Sequence, residues 1–311
     1  MGSLKINTIV QIAIIIPCFN EEPAIAQVIH DYKNALPQAK IYVFDNNSTD
    51  ATAQIAIKNG AIVHYVKKQG KGNVVKAMFR DIDADYYIMI DGDGTYSAHN
   101  ISALLETVIT NRVDMLIGNR LVQYENSASR KGHLTGNKII TQTVNFLFKS
   151  DFSDLLSGYR ILSRRFVKSV PLFYEGFEVE TALAIHAVEV DAKIIETPIS
   201  YLERASGSVS KLNTLKDGIK IGLTIFSLFK DYHPRLVFGT TGGLFFILGL
   251  LIGLPVIIEF IDTGLVPKFP SAILASGLII LSFLSIFSGL ILSSIAKNRK
   301  IIKKLSFLNT K

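Results

Sequence analysis

Hydrophobic residues in the first third of the chain alternate between short β-type runs and longer runs with helical spacing. We predict strands from the short runs and helices from the segments between them. The predicted strands are Ile12–Ile16, Ile41–Phe44, Ile62–Tyr65, Tyr86–Ile90 and Asp114–Ile117. The predicted helices cover residues 23–36, 50–59, 72–82 and 100–111. This order predicts an α/β domain with a mostly parallel sheet, helices on both faces, and ligands bound at the carboxyl ends of the strands.

Two uncharged stretches near the C-terminus are much longer than any of these strands. Leu236–Ile258 has 23 residues without a charge, and Phe269–Ala296 has 28. Each is long enough to cross a hydrocarbon core of roughly 30 Å. We therefore expect two transmembrane helices joined by a short connector. The alternative is a pair of buried helices in a water-soluble core, but such helices rarely run so long without a charge.

The segment that precedes the first uncharged stretch has its own periodicity. Its apolar residues recur at helical spacing, and its lysines occupy other positions; the apolar positions are Leu215, Ile219, Leu223, Phe226 and Phe229. This pattern is typical of an amphipathic helix at a membrane surface, or of a helix packed on the main domain. We divide the chain into a main domain (1–211), an amphipathic juxtamembrane segment (212–235) and a transmembrane hairpin with a basic tail (236–311).

Charge is distributed unevenly along the 311 residues. Residues 1–211 carry 22 basic and 22 acidic residues, whereas residues 212–311 carry 11 and 4. A neutral main domain without a recognition motif argues against nucleic-acid binding. Lysine and arginine flank both uncharged stretches on their outer sides, and the connector carries only Lys268. The positive-inside rule then places both termini and the main domain in the cytosol, at a bacterial cytoplasmic membrane or an equivalent one.

Polar residues follow three of the predicted strands, in Pro17–Glu22, Asp45–Asp50 and Asp91–Thr95. Two aspartates that flank a glycine after a buried strand can bind a hard cation such as Mg²⁺ or Mn²⁺, with phosphate oxygens completing the shell. Taken alone, this Asp-Gly-Asp run would more simply be a turn. The other polar strand ends favour the metal site. Nearby, Gly70–Gly72 opens a helix, which puts free N–H groups and Lys71 where an anion could bind.

Seven segments, in order, resemble the family 2 glycosyltransferases, which have the Rossmann-like GT-A fold. They are IIIPCFNEEPAI, VFDNNSTDAT, QGKGNVVKAM, MIDGDGTY, IGNR, DLLSGYRILSR and ETPISYLERASGSVSKL. The branch they most resemble is the polyprenyl-phosphate sugar transferases of the dolichyl-phosphate mannose synthase type. The resemblance covers about Ile12 to Lys211, and the two uncharged stretches are similar to those of a subgroup anchored by two membrane helices.

The resemblance implies roles for particular residues. Donor-binding residues would be Pro17, Phe19, Glu21, Asp45, Lys71, Asp91 and Gly92. Asp91 and Asp93 would be the metal ligands, and Asp93 and Arg120 would be catalytic residues. Independently of the resemblance, Asp154 is a further catalytic candidate, with Glu178 and Glu180 as alternatives, because these carboxylates could orient groups or act as a base. Many relatives continue the Asp-x-Asp motif with Leu-Gln-His-Pro, where the Gln helps hold the metal. This chain has Gly94-Thr95-Tyr96 there, and it has Asn46 where a second acidic residue often follows Asp45.

The second half of the main domain is rich in arginine and small polar residues. Arginine forks match phosphate oxygens, so this region could bind an acceptor phosphate. The family resemblance implies that Arg120, Arg204, Ser210 and Lys211 lie near the acceptor phosphate, and Asn137 and Arg160 are further acceptor-binding candidates in this region. For any one arginine, the alternative is a surface charge or a structural ion pair.

These expectations define a membrane-anchored, metal-dependent glycosyltransferase of the hexosyltransferase type. It would move a sugar, with inversion, from a UDP- or GDP-sugar to undecaprenyl or dolichyl phosphate at the cytosolic face. Alternatives are another lipid acceptor, or a membrane protein that binds nucleotide sugars without turnover. A processive polysaccharide synthase is disfavoured because the chain has no Trp for the QxxRW motif. Small-xxx-small spacings such as Gly249/Gly253 permit association into homo-oligomers without requiring it.

Overall fold

The computed structural model describes residues 10–121, 131–171, 174–204 and 214–310. Its centre is a seven-stranded sheet with the order β3-β2-β1-β4-β6-β5-β7. The strands are β1 (Ile12–Cys18), β2 (Lys40–Asp45), β3 (Ile62–Tyr65), β4 (Tyr86–Met89), β5 (Met115–Asn119), β6 (Arg160–Ser163) and β7 (Ile194–Pro198). All neighbours are parallel except β6, which runs antiparallel to both β4 and β5.

Ten helices lie in the described part of the chain. They are α1 (Ile25–Ala35), α2 (Thr52–Lys58), α3 (Lys71–Asp81), α4 (Ile101–Thr110), α5 (Lys131–Phe148), α6 (Arg164–Ser169), α7 (Val179–Glu189), α8 (Thr214–Tyr232), α9 (Pro234–Thr263) and α10 (Phe269–Asn309). The five predicted strands and four predicted helices of the first third are all present, with ends within two residues of the expected ones. The mostly parallel α/β fold is confirmed.

Strand β1 explains why the sheet has a buried centre. Its sequence IAIIIPC is apolar almost throughout, and every residue except Pro17 is buried. Such a run fits a strand covered on both faces, because only a strand between two helical layers buries successive side chains. Helix α1 covers one face with Ile25, Val28, Ile29 and Tyr32, which recur at the helical period. β1 is therefore a rigid base for the polar residues that follow it.

The chain divides into two compact units, Met1–Ile225 with Lys303–Lys311, and Phe226–Ile302. The predicted boundary at residue 211 lies outside the described residues and stays a prediction. Helices α9 and α10 are each long and apolar enough to cross a membrane; α9 lies in the second unit, and so does α10 as far as Ile302. They pack closely at glycines: a Cβ on Gly242 would lie 2.7 Å from Ile286, and one on Gly249 would lie 2.9 Å from Ile279.

Helix α8 exposes one apolar row and buries another. Ile219, Leu223 and Phe226 are each more than half exposed, whereas Ile221 and Ile225 are buried. Three positions of the predicted apolar row are thus exposed, whereas Phe229 is partly buried and the Leu215 side chain lies outside the description. Both interpretations of this segment stay predictions.

Candidate active site

Three strand ends meet at one edge of the sheet. β1 pairs in parallel with β2 up to Cys18 and Asp45, and with β4 on its other side. Parallel neighbours bring their carboxyl ends to the same edge, so the polar segments after these strands line one crevice. The structure therefore brings together the residues that sequence reasoning placed at the ends of β1, β2 and β4.

Lys71, at the start of α3, lies between two carboxylates. Its Nζ is 2.6 Å from Asp91 Oδ1 and 2.6 Å from Glu180 Oε1. The Lys71 side chain is 11% exposed and that of Glu180 only 4%. Burial alone would lower the pKa of Lys71, but Asp91 and Glu180 outweigh it and raise this pKa above its ordinary value. Lys71 is therefore a fixed positive charge beside Asp91.

The second aspartate of the motif has different partners. Asp93 is buried, and its Oδ2 lies 2.8 Å from Arg204 Nη2. Its Oδ1 accepts hydrogen bonds from the Thr95 backbone N–H at 3.1 Å and the Thr95 hydroxyl at 2.6 Å. Thr95 thus orients the Asp93 carboxylate. Each aspartate of the pair is held by one cationic side chain.

Two glycines allow the close packing around these aspartates. A Cβ on Gly92 would lie 2.6 Å from Cys18 Sγ, so Gly92 lets the strand end approach β1. A Cβ on Gly158 would lie 2.5 Å from Asp91 Oδ2. Gly158 therefore leaves the space that the Asp91 carboxylate occupies. Sequence reasoning missed this role, although Gly158 lies in the SGYR segment.

The Gly70–Gly72 turn packs on backbone rather than on side chains. A Cβ on Gly70 would lie 2.1 Å from the Glu175 carbonyl oxygen, and one on Gly72 would lie 2.2 Å from that of Tyr174. The Gly72 N–H donates to the Glu175 carbonyl at 3.0 Å. These contacts fix Lys71 against the segment that leads into α7, which carries Glu180.

Asn46 ties the same turn to the end of β2. Its amide nitrogen donates to the carbonyl oxygens of Val66 and Lys68, and its Oδ1 accepts from the Gly70 N–H at 2.8 Å. An aspartate could not donate these two bonds. The amide of Asn46 therefore has a structural role that a carboxylate could not fill.

A second charged cluster joins Arg120, Asp154 and Asn137. Arg120 Nε and Nη2 each donate to Asp154 at 2.8 Å, and Asn137 Nδ2 donates to Asp154 Oδ1 at 2.8 Å. Asp154 is fully buried. Burial would raise the pKa of Asp154, but Arg120 and the hydrogen bonds lower it below its ordinary value. Asp154 is thus an ionised partner that orients Arg120, and its own oxygens are already occupied.

Comparison with known proteins identifies the family. Residues 13–170, just over half of the chain, match the family described as "Glycosyl transferase family 2". The chain belongs to glycosyl transferase family 2. It is also 32% identical over 298 residues to "Glycosyltransferase AglJ" of Haloferax volcanii, covering 94% of this chain and 98% of that protein.

Other similar proteins are more distant. "Polyprenol monophosphomannose synthase" of Mycolicibacterium smegmatis is 25% identical over 217 residues, covering 64% of this chain and 80% of that protein. A crystal structure of glucosyl-3-phosphoglycerate synthase from Mycobacterium tuberculosis, in complex with Mn²⁺, UDP and glucosyl-3-phosphoglycerate, matches with a TM-score of 0.58 and 22% identity. It covers 70% of this chain and 79% of that one, and it confirms the GT-A-like fold.

The residues predicted to bind the nucleotide lie at the ends of β1 and β2. Pro17 and Phe19 are partly exposed, whereas Glu21 and Asp45 are buried. Glu21 is positioned by its backbone N–H, which donates to Thr52 Oγ1 at 2.8 Å. Asp45 Oδ2 accepts from the Ser48 N–H, and Asp45 Oδ1 has no hydrogen-bond donor among the described residues. A buried acceptor of this kind suits a donor group on a ligand.

Arg160 does not reach the crevice surface. Its side chain is completely buried and donates to the backbone carbonyls of Ser157, Leu155 and Glu180. Burial lowers the pKa of Arg160 to about 10. We therefore do not carry Arg160 into the acceptor site proposed below. Ser210 and Lys211 lie outside the described residues.

The described residues contain no cluster of three or more histidine, cysteine, aspartate or glutamate side chains that could hold a metal by itself. The Asp91 and Asp93 carboxylates nevertheless fit a hard divalent cation, because such ions take carboxylate and phosphate oxygens and often bind through one or two carboxylates. A diphosphate in the crevice would supply the remaining oxygens. The residues present thus fit a metal that binds together with a nucleotide.

Proposed function

We propose that this glycosyltransferase moves a sugar from a UDP- or GDP-sugar to a polyprenyl phosphate at the cytosolic face of a membrane. The observation that carries the proposal is the crevice in which Asp91, Asp93 and Lys71 converge, in a chain that also has two helices long enough to span a bilayer. The crevice suits a nucleotide diphosphate, and the helices suit a lipid-linked acceptor. The names of relatives such as the polyprenol monophosphomannose synthase support this acceptor class.

Negative charge builds on the departing nucleoside diphosphate while the anomeric carbon becomes oxocarbenium-like. Mg²⁺ or Mn²⁺ bound to Asp91 and Asp93 would neutralise diphosphate oxygens. Lys71 adds a fixed ammonium on the same side, preorganised by its two carboxylate partners. The free Oδ1 of Asp45 would accept a hydrogen bond from the base, next to Pro17 and Phe19.

The acceptor needs no strong general base. A phosphate monoester has its second pKa near about 6 and is largely dianionic at neutral pH. The Arg120 and Arg204 guanidinium groups would bind this phosphate, with Asn137, Ser210 and Lys211 completing the site. Asp154 then acts on the reaction through Arg120, whose fork it fixes. Attack by a phosphate oxygen on the face opposite the leaving group would invert the anomeric centre.

The membrane segments would hold the enzyme where its acceptor lies. Helices α9 and α10 would form the anchor, and the exposed row Ile219, Leu223 and Phe226 of α8 would lie in the interface. The basic residues that flank α9 and α10 favour a cytosolic catalytic domain and two cytosolic termini. Anchoring restricts the search for a lipid phosphate to two dimensions.

The test uses full-length protein in detergent with Mg²⁺ or Mn²⁺, a panel of UDP- and GDP-sugars, and undecaprenyl or dolichyl phosphate. Release of nucleoside diphosphate and the mass of the lipid product are followed together. We expect a sugar-phosphate-lipid with one class of donor and loss of product in Asp93→Ala. Donor hydrolysis or binding without transfer to any lipid phosphate would contradict the proposed acceptor.

A further inference from the structure

Lys71 is shared by two carboxylates with different surroundings. Asp91 is about a third exposed and faces the crevice, whereas Glu180 is buried on α7 behind it. The backbone contacts between the Gly70–Gly72 turn and residues 174–175 hold both sides of the Lys71–Glu180 pair in place. Glu180 Oε2 has no hydrogen-bond donor among the described residues. Lys71 is therefore the cation in direct contact with this buried carboxylate, and the buried Arg160 guanidinium lies nearby, donating to the Glu180 backbone carbonyl.

An ammonium and a divalent cation compete for Asp91. Lys71 lies within hydrogen-bond distance of Asp91 Oδ1, so its attraction to Asp91 opposes binding of a metal there. Glu180 changes this competition between Lys71 and the metal. When Asp91 binds a metal, Lys71 keeps its ion pair with Glu180, so little of the favourable energy of its ion pairs is lost.

We propose that Glu180 is a positioning residue that shares Lys71 with Asp91 and so keeps Asp91 available to a divalent cation. The inference rests on the metal requirement of the proposed function. In the absence of the Glu180 charge, the ammonium would pair with Asp91 alone, and a metal would have to break that pair.

The test measures Mn²⁺ affinity directly, from the loss of the free Mn²⁺ signal in electron paramagnetic resonance, with and without UDP or GDP. Four full-length proteins form a cycle: wild type, Glu180→Gln, Lys71→Met and the double variant. We expect Glu180→Gln to weaken Mn²⁺ binding about tenfold when Lys71 is present, and less than about threefold when residue 71 is Met. Loss of a negative charge by itself would weaken binding equally in both backgrounds.

Helix α7 provides a matched control. Glu189 is also buried and also pairs with a lysine, Lys303, at 2.7 Å. It lies nine residues further along the helix, about 13 Å from Glu180. Glu189→Gln should therefore leave Mn²⁺ affinity within about twofold of wild type. Circular dichroism of each variant verifies that the transferase fold is retained.

Three outcomes would overturn the inference. They are an unchanged Mn²⁺ affinity in Glu180→Gln, an equal loss in both Lys71 backgrounds, and an equal loss in Glu189→Gln. If Glu180→Gln does not fold, Lys71→Met tests the inference instead. We expect the Lys71→Met protein to bind Mn²⁺ at least as tightly as wild type, and weaker binding would overturn the inference. Wild type that binds Mn²⁺ but forms no glycolipid would refute the proposed function alone.

Discussion

Helix α7 carries a buried glutamate–lysine pair at each end, and the two pairs differ in their surroundings. At the N-terminal end, Glu180 shares Lys71 with Asp91 in the crevice. At the C-terminal end, Glu189 pairs with Lys303 of α10, and His186 lies 3.7 Å away. Lys71 thus lies between two carboxylates, one of which faces the crevice, whereas Lys303 contacts a carboxylate that is almost completely buried.

This difference separates an ion pair that lies in the active site from one that supports the fold. At the first site the Asp91 carboxylate is 29% exposed and can reach a cation. At the second site the Glu189 side chain is only 2% exposed. We therefore assign the Glu180 end to chemistry and the Glu189 end to stability of the fold.

The largest effect on stability should come from breaking the pair at Glu189. Lys303→Met leaves the Glu189 carboxylate buried without its ammonium, and removing one partner of a buried ion pair costs about 3–5 kcal/mol. We expect the free energy of unfolding of the transferase unit to fall by about 3 kcal/mol, measured by denaturant titration in detergent. The double variant Glu189→Met/Lys303→Met should recover most of this loss. A single variant as stable as wild type would refute the structural role.

Removing the lysine of the other pair, at the N-terminal end of α7, should lower catalytic activity. Lys71→Ala removes the fixed ammonium from the crevice, and loss of one preorganised electrostatic group typically lowers the rate about 10²- to 10³-fold. We expect a decrease of this size in kcat/KM for the donor, measured as nucleoside diphosphate release that depends on lipid phosphate. Lys303→Met that remains folded at the assay temperature is the control. Equal losses in the two variants would remove the distinction between the pairs.

The contrast between these pairs shows how far sequence reasoning reaches. The strands and the residues at their ends were predictable, because apolar runs followed by polar residues mark buried strands that lead into a crevice. The partner of Glu189 was not predictable, since Lys303 is 114 residues away and local patterns carry no information about such a contact. The pairing of Glu180 with Lys71 was not predictable for the same reason, because the two residues are far apart along the chain.

Arg160 illustrates the same limit inside the sheet. Its Gly/Ser context resembles that of a phosphate-binding arginine, and the sequence gives no sign that β6 runs antiparallel between β4 and β5. This pairing carries Arg160 into the core, where backbone carbonyls replace a ligand. Pairing of a four-residue strand depends on its neighbours, so pattern alone could not place this side chain.

A smaller effect should come from His186, beside the Glu189 pair. Burial lowers the pKa of His186 below its ordinary value of about 6.5. Below that pH the unfolded chain takes up a proton that the folded protein does not, so stability falls as the pH drops from about 6.5 toward the lower folded pKa. We expect His186→Gln to flatten this loss in denaturant titrations between pH 7 and pH 5.5. An unchanged slope in His186→Gln would contradict the assignment.

The smallest effect should come from the lysine next to Lys303. Lys304 Nζ lies 2.5 Å from Asp191, but both side chains are largely exposed, at 44% and 61%. Exposed ion pairs contribute about 0–1 kcal/mol, because water screens them and both side chains lose freedom. Lys304→Met should therefore lower the free energy of unfolding by less than about 1 kcal/mol in the titration used for Lys303→Met. The two substitutions are adjacent and chemically identical. Equal losses of unfolding free energy would therefore mean that the burial of Glu189 does not make its ion pair with Lys303 more stabilising than an exposed one.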